Sequence, residues 1–151
     1  MEAVVVKGKN YAFVLIASEE YWKRLRQRSV ESGGALAFVR KGQVGPIRAK
    51  KIIFYIKKPA MQIRGFADFI ERLKGDSDEM WARYGKESCF KTEEEYCSFI
   101  QGRDKATFVR LENLTELNQP KTGEEISLAL GSLRGFRGKY VDQETTVTLI
   151  T

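Results

Sequence analysis

The stretch KKIIFYIKKPAMQIRGFADF, residues 50–69, decides the fold of this chain. Its first half contains IIFYI (52–56), an unbroken run of β-branched and aromatic residues that predicts a buried central strand. After Lys57-Lys58-Pro59, the residues Met61, Ile63, Gly65, Ala67 and Phe69 alternate with Gln62, Arg64, Phe66 and Asp68. That period of two predicts a second strand, and Gly65 at its centre predicts the bulge or bend that a small barrel needs to close.

Working outward, residues 2–7 and YAFVLIA (11–17) read as strands on either side of a Gly-Lys-Asn turn. Ser18 is placed to cap a helix with Glu19 and Glu20 in its first turn, running to about Ser29 and stopped by Gly33-Gly34. ALAFV (35–39) predicts another strand, and KGQVGP a loop. Three short helices are announced by Asp76-x-x-Glu79, Thr92-x-x-Glu95 and Thr122-x-x-Glu125, in which the first side chain can cap the helix start. A long strand, ATFVRLENLTEL (106–117), lies between the second and third, Gly131 ends the third, and TTVTLI (145–150) predicts a closing strand.

Composition narrows the chemistry. The chain has 151 residues, 26 Lys+Arg against 20 Asp+Glu, a formal charge of +6, two cysteines and no histidine. One domain spanning residues 1–151, with a core that needs no metal or disulfide, fits that length. The missing histidine excludes Ser-His-Asp and Cys-His nucleophile pairs and His-ligated metals. No metal or cofactor motif is present, and KGQVGP lacks the helix a phosphate cradle requires. The start MEAVVVKGK is no signal peptide and no apolar run can span a bilayer, so a cytoplasmic protein without a membrane partner is expected, with Cys89 and Cys97 as reduced, buried thiols.

Charge is unevenly placed: residues 1–74 carry +10 and residues 75–151 carry −4. Between Ser32 and Ala67 there are eight cations and no acid. Such a run either fringes solvated strands or meets an anionic partner, most economically nucleic-acid phosphate. On the second reading Lys50, Lys51, Lys57, Lys58 and Arg64 line one rim of a barrel and hold a phosphate backbone. In SLRGFRGKY (132–140), Arg134 and Arg137 flank Phe136, a cation–aromatic alternation suited to single strands, or else an ordinary loop. Trp81 and Tyr84, three apart on a helix, either wall a pocket for a planar base or anchor that helix to the core; Tyr55 is a further stacking candidate. Lys57, Lys58, Asp68 and Glu71 are the only acid/base candidates near the expected rim, and nothing in their spacing demands catalysis.

The "FY" strand leading into a strand with a glycine after an apolar-Arg pair resembles the EVE/ASCH pattern of the PUA-like superfamily. Together with W-x-x-Y-G (81–85), Y-x-x-F-I-x-G-R (96–103) and F-R-G-x-Y (136–140), it resembles a small, mainly archaeal family of uncharacterised PUA-like proteins. The resemblance implies a PUA-like α+β fold, a small mixed β-barrel of about six strands with short helices, and binding of RNA or a modified nucleotide without catalysis. Some ASCH-type relatives are instead small amidohydrolases using a Lys, a Thr and a Glu. This chain offers Lys57 or Lys58, with Glu71 as partner, but Pro59-Ala60 where the Thr would stand. A third expectation is a protein-interaction domain that meets an acidic partner with its positive face.

Overall fold

The computed structural model describes residues 10–41, 45–132 and 137–151; the strand expected at 2–7, and Arg134 and Phe136, lie outside them. The elements run β1 (Ala12–Ala17), α1 (Glu19–Ser32), β2 (Leu36–Arg40), β3 (Lys51–Ile56), β4 (Gln62–Asp76), α2 (Ser77–Tyr84), α3 (Glu93–Ile100), β5 (Lys105–Lys121), α4 (Gly123–Leu130), β6 (Lys139–Val141) and α5 (Gln143–Ile150). The six strands form one sheet in the order β2-β5-β4-β3-β1-β6, with β1 and β3 parallel and every other pair antiparallel. The α+β architecture expected from the sequence is therefore present. Among the described residues the sheet is not closed between β2 and β6, an arrangement compatible with the small mixed barrel of about six strands that was expected.

Both faces of this sheet are covered, so its central strands are apolar on both sides. Phe13, Leu15, Ile52, Phe54 and Ile56 meet Trp22 and Leu25 of α1, Met80 of α2 and Tyr96 of α3 on one face. Val14, Ile53, Tyr55 and Ile63 meet Ile126 and Leu130 of α4 and Leu149 of α5 on the other. The uninterrupted run at 52–56 is thus explained by burial on two faces.

The helices start where their caps predict. Ser18 Oγ accepts from Tyr21 N at 3.1 Å, Asp76 Oδ2 from Glu79 N at 3.1 Å, and Thr92 Oγ1 from Glu95 N at 3.1 Å. Thr122 N donates to Glu125 Oε1 at 3.0 Å. α1 runs to Ser32, three residues beyond the expected Ser29, and Gly33 caps it at φ 66 as expected. Residues 145–150 depart from expectation: they belong to helix α5. Asp142 Oδ1 accepts from Thr145 N at 2.8 Å, and burial of Thr146 and Leu149 three apart holds one helical face. Capping and packing overcome the strand preference of Thr and Val there.

Gly65 sets the geometry of the sheet. A β-carbon there would lie 2.5 Å from Thr115 O and 2.5 Å from Trp22 Cη2. The pairing of β4 with β5 slips between Ile63 and Gly65, and that of β3 with β4 slips between Phe54 and Tyr55. The bend lets the Trp22 indole seat against bare backbone. At the free edge, β2 is met by α1: the Val39 amide donates to Tyr21 Oη at 2.8 Å. Gly65→Ala is expected to cost about 3 kcal/mol or more, because the new methyl meets a backbone carbonyl and a buried ring that cannot both retreat. A lower urea midpoint at unchanged slope checks this.

Candidate nucleic-acid interface

The site arises where β3 begins. Lys51 is paired with Asp68 of β4, and from Glu71 to Asp76 β4 pairs only with β5. The Lys50 backbone is held on both sides, its amide donating to Tyr11 O at 2.8 Å and its carbonyl accepting from Phe69 N at 3.1 Å. Just before it, the Ile47 amide donates to Tyr140 Oη at 2.7 Å, and the Tyr140 ring packs edge-on against Phe13 at 5.1 Å. These bonds fix the segment that carries Arg48 and Lys50. Between that segment and the middle of β4 lies a groove of about 750 Å³. Arg48, Lys50, Lys51 and Arg72 line it, over an apolar floor from Tyr11, Phe69 and Ile70.

The two acids in the groove are engaged. Asp68 accepts from Lys51 Nζ at 2.6 Å and from Asn113 Nδ2 at 2.9 Å. Burial opposes its charge, but the Lys51 and Asn113 hydrogen bonds prevail and hold the carboxyl below its ordinary value. It is an anion there, and no general acid. Glu71 accepts from Arg110 Nη1 at 2.6 Å, while Arg110 Nε and Nη2 grip both oxygens of Glu87 at 2.8 Å. The Arg110 guanidinium, held by these two carboxylates, is raised beyond its normal range and lies 5.1 Å over the Tyr84 ring.

The expected site residues separate into distinct places. Lys50 and Lys51 border the groove, whereas Lys57 and Lys58 are exposed in the turn at the far end of β3. Six strand residues put about 20 Å between the two pairs, so a single lysine rim does not form. Arg64 lies at the Lys57 end, with Nη1 3.0 Å from Glu19 and Nε donating to Gln62 Oε1 at 2.7 Å. Tyr55 is buried at 6% exposure on the face covered by α4 and α5, and presents no open ring. Trp81 is stacked on Tyr96 at 5.0 Å and Tyr84 lies beneath Arg110, so both anchor α2 instead of walling a pocket. Arg137 is exposed, two residues before β6.

Among the acid/base candidates, Glu71 is in the groove and Lys57 and Lys58 are not, which removes that pairing. Both cysteines are free, as expected; Cys89 is buried, its thiol pushed up to about 11 by desolvation, but Cys97 is exposed. The groove residues Tyr11, Arg48, Phe69 and Arg72 were not among the expected site residues. Arg48 belongs to the acid-free run; Phe69 and Arg72 have opposite parity in β4, and the register slip between Phe69 and Glu71 that separates them has no local signal.

The sheet order and the two covered faces, with the groove beside β3, give an α+β fold shared with solved ASCH structures. The crystal structure of ASCH from Zymomonas mobilis superimposes with a TM-score of 0.73 over 92% of this chain and 93% of that one, at 23% identity. A serine-to-alanine mutant of that protein gives 0.74 over 95% and 96%, also at 23% identity. In sequence, the chain is 34% identical over 62 residues to an "ASCH domain-containing ribonuclease" of Zymomonas mobilis, a match covering 41% of this chain and 41% of that protein. No family model matches. The sequence likeness falls on a bacterial protein and gives no support to a mainly archaeal grouping.

The Asp68 geometry has a pH consequence. A carboxylate depressed in the folded state adds stability above its unfolded value of 3.8, and that stability is lost as pH falls through the folded value. Asp68→Asn should therefore show a shallower loss of stability than the parent on acidification below about pH 4, read by urea melts at a series of pH values.

Proposed function

We propose that this chain binds RNA in the groove beside β3, holding the backbone with Arg48, Lys50, Lys51 and Arg72 and packing bases or riboses on Tyr11 and Phe69. The observation that carries this reading is the groove's charge. Four cations line it against two acids, Asp68 held by Lys51 and Asn113 and Glu71 by Arg110, so positive charge is in excess. A net positive groove with an apolar floor suits a single strand, whose phosphates and base faces need those two surfaces. The likeness to an ASCH domain-containing ribonuclease supports RNA as the ligand class. The volume also leaves room for a single modified nucleotide, the finer form of the same reading. Absence of a membrane-spanning helix among the described residues is compatible with a cytoplasmic setting.

Binding without catalysis is the form the groove chemistry favours. Asp68 is held as an anion, Glu71 is held by Arg110, and the chain has no histidine. Cleavage of RNA is the second reading, favoured by the name of the sequence relative. Incubating end-labelled RNA with the protein separates the two: intact RNA after many binding lifetimes supports the first, and protein-dependent fragments that vanish in Lys50→Ala support the second.

In fluorescence titrations with a single-stranded RNA pool, Arg48→Ala/Lys50→Ala should bind at least tenfold more weakly at about 0.1 M salt. Its slope of log affinity against log salt should be shallower by about 1.4, two phosphate contacts at about 0.7 each. Lys57→Ala/Lys58→Ala, at the other end of β3, should remain within about twofold of the parent. A larger effect from the second pair than from the first would move the binding surface away from the groove.

A further inference from the structure

We propose that Arg40 is a phosphate-receiving residue at the inner end of the groove, a role that rests on the RNA-binding reading and extends it by one buried contact. Arg40 ends β2, opposite Thr107 of β5. Its Nη1 atom is shut off from solvent and has no hydrogen-bond partner among the described residues. Arg64 and Arg110, by contrast, each hold a carboxylate within 3.0 Å. Burial disfavours the charged form of Arg40 and shifts it downward, with the Tyr21 phenol acting the other way.

A guanidinium with one nitrogen sealed and unpaired is costly, whereas an apolar side chain of similar length would fill the same space without that cost. The residue's position gives the cost a purpose. Gly45, at φ 149, lies between two arginine stems: a β-carbon there would be 3.7 Å from Arg40 Cδ and 3.8 Å from Arg72 Cδ. Arg72 is part of the groove wall, so Arg40 stands one side chain behind it. The two arginine stems thus share Gly45 as a neighbour, with Val109 Cγ2 on its third side at 3.5 Å, and Arg72 links the pair to the groove wall. The ligand chemistry such a pair receives is that of a tetrahedral oxyanion: a planar fork pairs two donors with two phosphate oxygens, and a ligand arriving there satisfies the orphaned nitrogen.

The test uses the full chain and three variants, Arg40→Met, Arg40→Gln and Arg40→Lys, with inorganic phosphate and single-stranded RNA as probes. In phosphate-free buffer Arg40→Met should be at least as stable as the parent, because an unpaired buried charge has been replaced by apolar volume. Inorganic phosphate, titrated against chloride at fixed ionic strength, should raise the parent's melting temperature saturably, shift Arg40→Lys less, and leave Arg40→Met and Arg40→Gln unmoved. RNA affinity should fall about tenfold in Arg40→Met, with the salt slope shallower by about 0.7. If the parent binds RNA and all three variants bind it with the same affinity and slope, the Arg40 role is overturned and the groove reading survives. If the parent ignores RNA but keeps its Arg40-dependent phosphate response, the RNA reading fails and the anion recess stands. A large loss of stability in Arg40→Met without phosphate would mean that the guanidinium already has an internal partner, and would overturn the proposal.

Discussion

The seat of Trp22 against the bare backbone of Gly65 is the contact on which the rest of the molecule depends. The indole, fully buried, occupies the space that any side chain at Gly65 would need. Through it α1 reaches the centre of the sheet, next to Phe54 of β3 at a ring distance of 5.2 Å. The same missing side chain lets β4 slip register against both neighbours, and that slip curls the sheet. Beyond Asp68, β4 outruns β3 and pairs with β5, and the groove lies in the gap the shorter strand leaves.

Much of this was legible in the residues. The run at 52–56 is apolar on both faces because α1–α3 cover one and α4–α5 the other, and an unbroken apolar run is the only pattern such a strand can have. The caps at Ser18, Asp76, Thr92 and Thr122 were readable because capping is local, involving side chains and amides three residues apart. Residues 145–150 were misread because Thr and Val favour strands in isolation, while the deciding groups were Asp142 before them and the sheet face that buries Thr146 and Leu149.

The site was legible in charge and not in shape. The acid-free run from Ser32 to Ala67 does supply Arg48, Lys50 and Lys51 to the groove, but a strand carries residues at its two ends far apart. Lysines seven positions apart, neighbours in a list of cations, are about 20 Å apart along β3. The aromatics erred in the opposite way. Trp81, Tyr84 and Tyr55 have the composition of a base-binding wall, yet Trp81 stacks on Tyr96, Tyr84 lies under Arg110 and Tyr55 is buried in the second core, all away from the groove.

The hydroxyl of Tyr21 on the amide of Val39 bears on how copies of this protein meet. An outer strand offers its unpaired amides to any extended chain that drifts past. Here a side chain from α1 occupies the amide nearest the middle of the five-residue β2, so an incoming strand would have to dislodge a buried phenol before it could dock. The molecule therefore ends its sheet on that side, among the described residues, with a stopper taken from its own first helix.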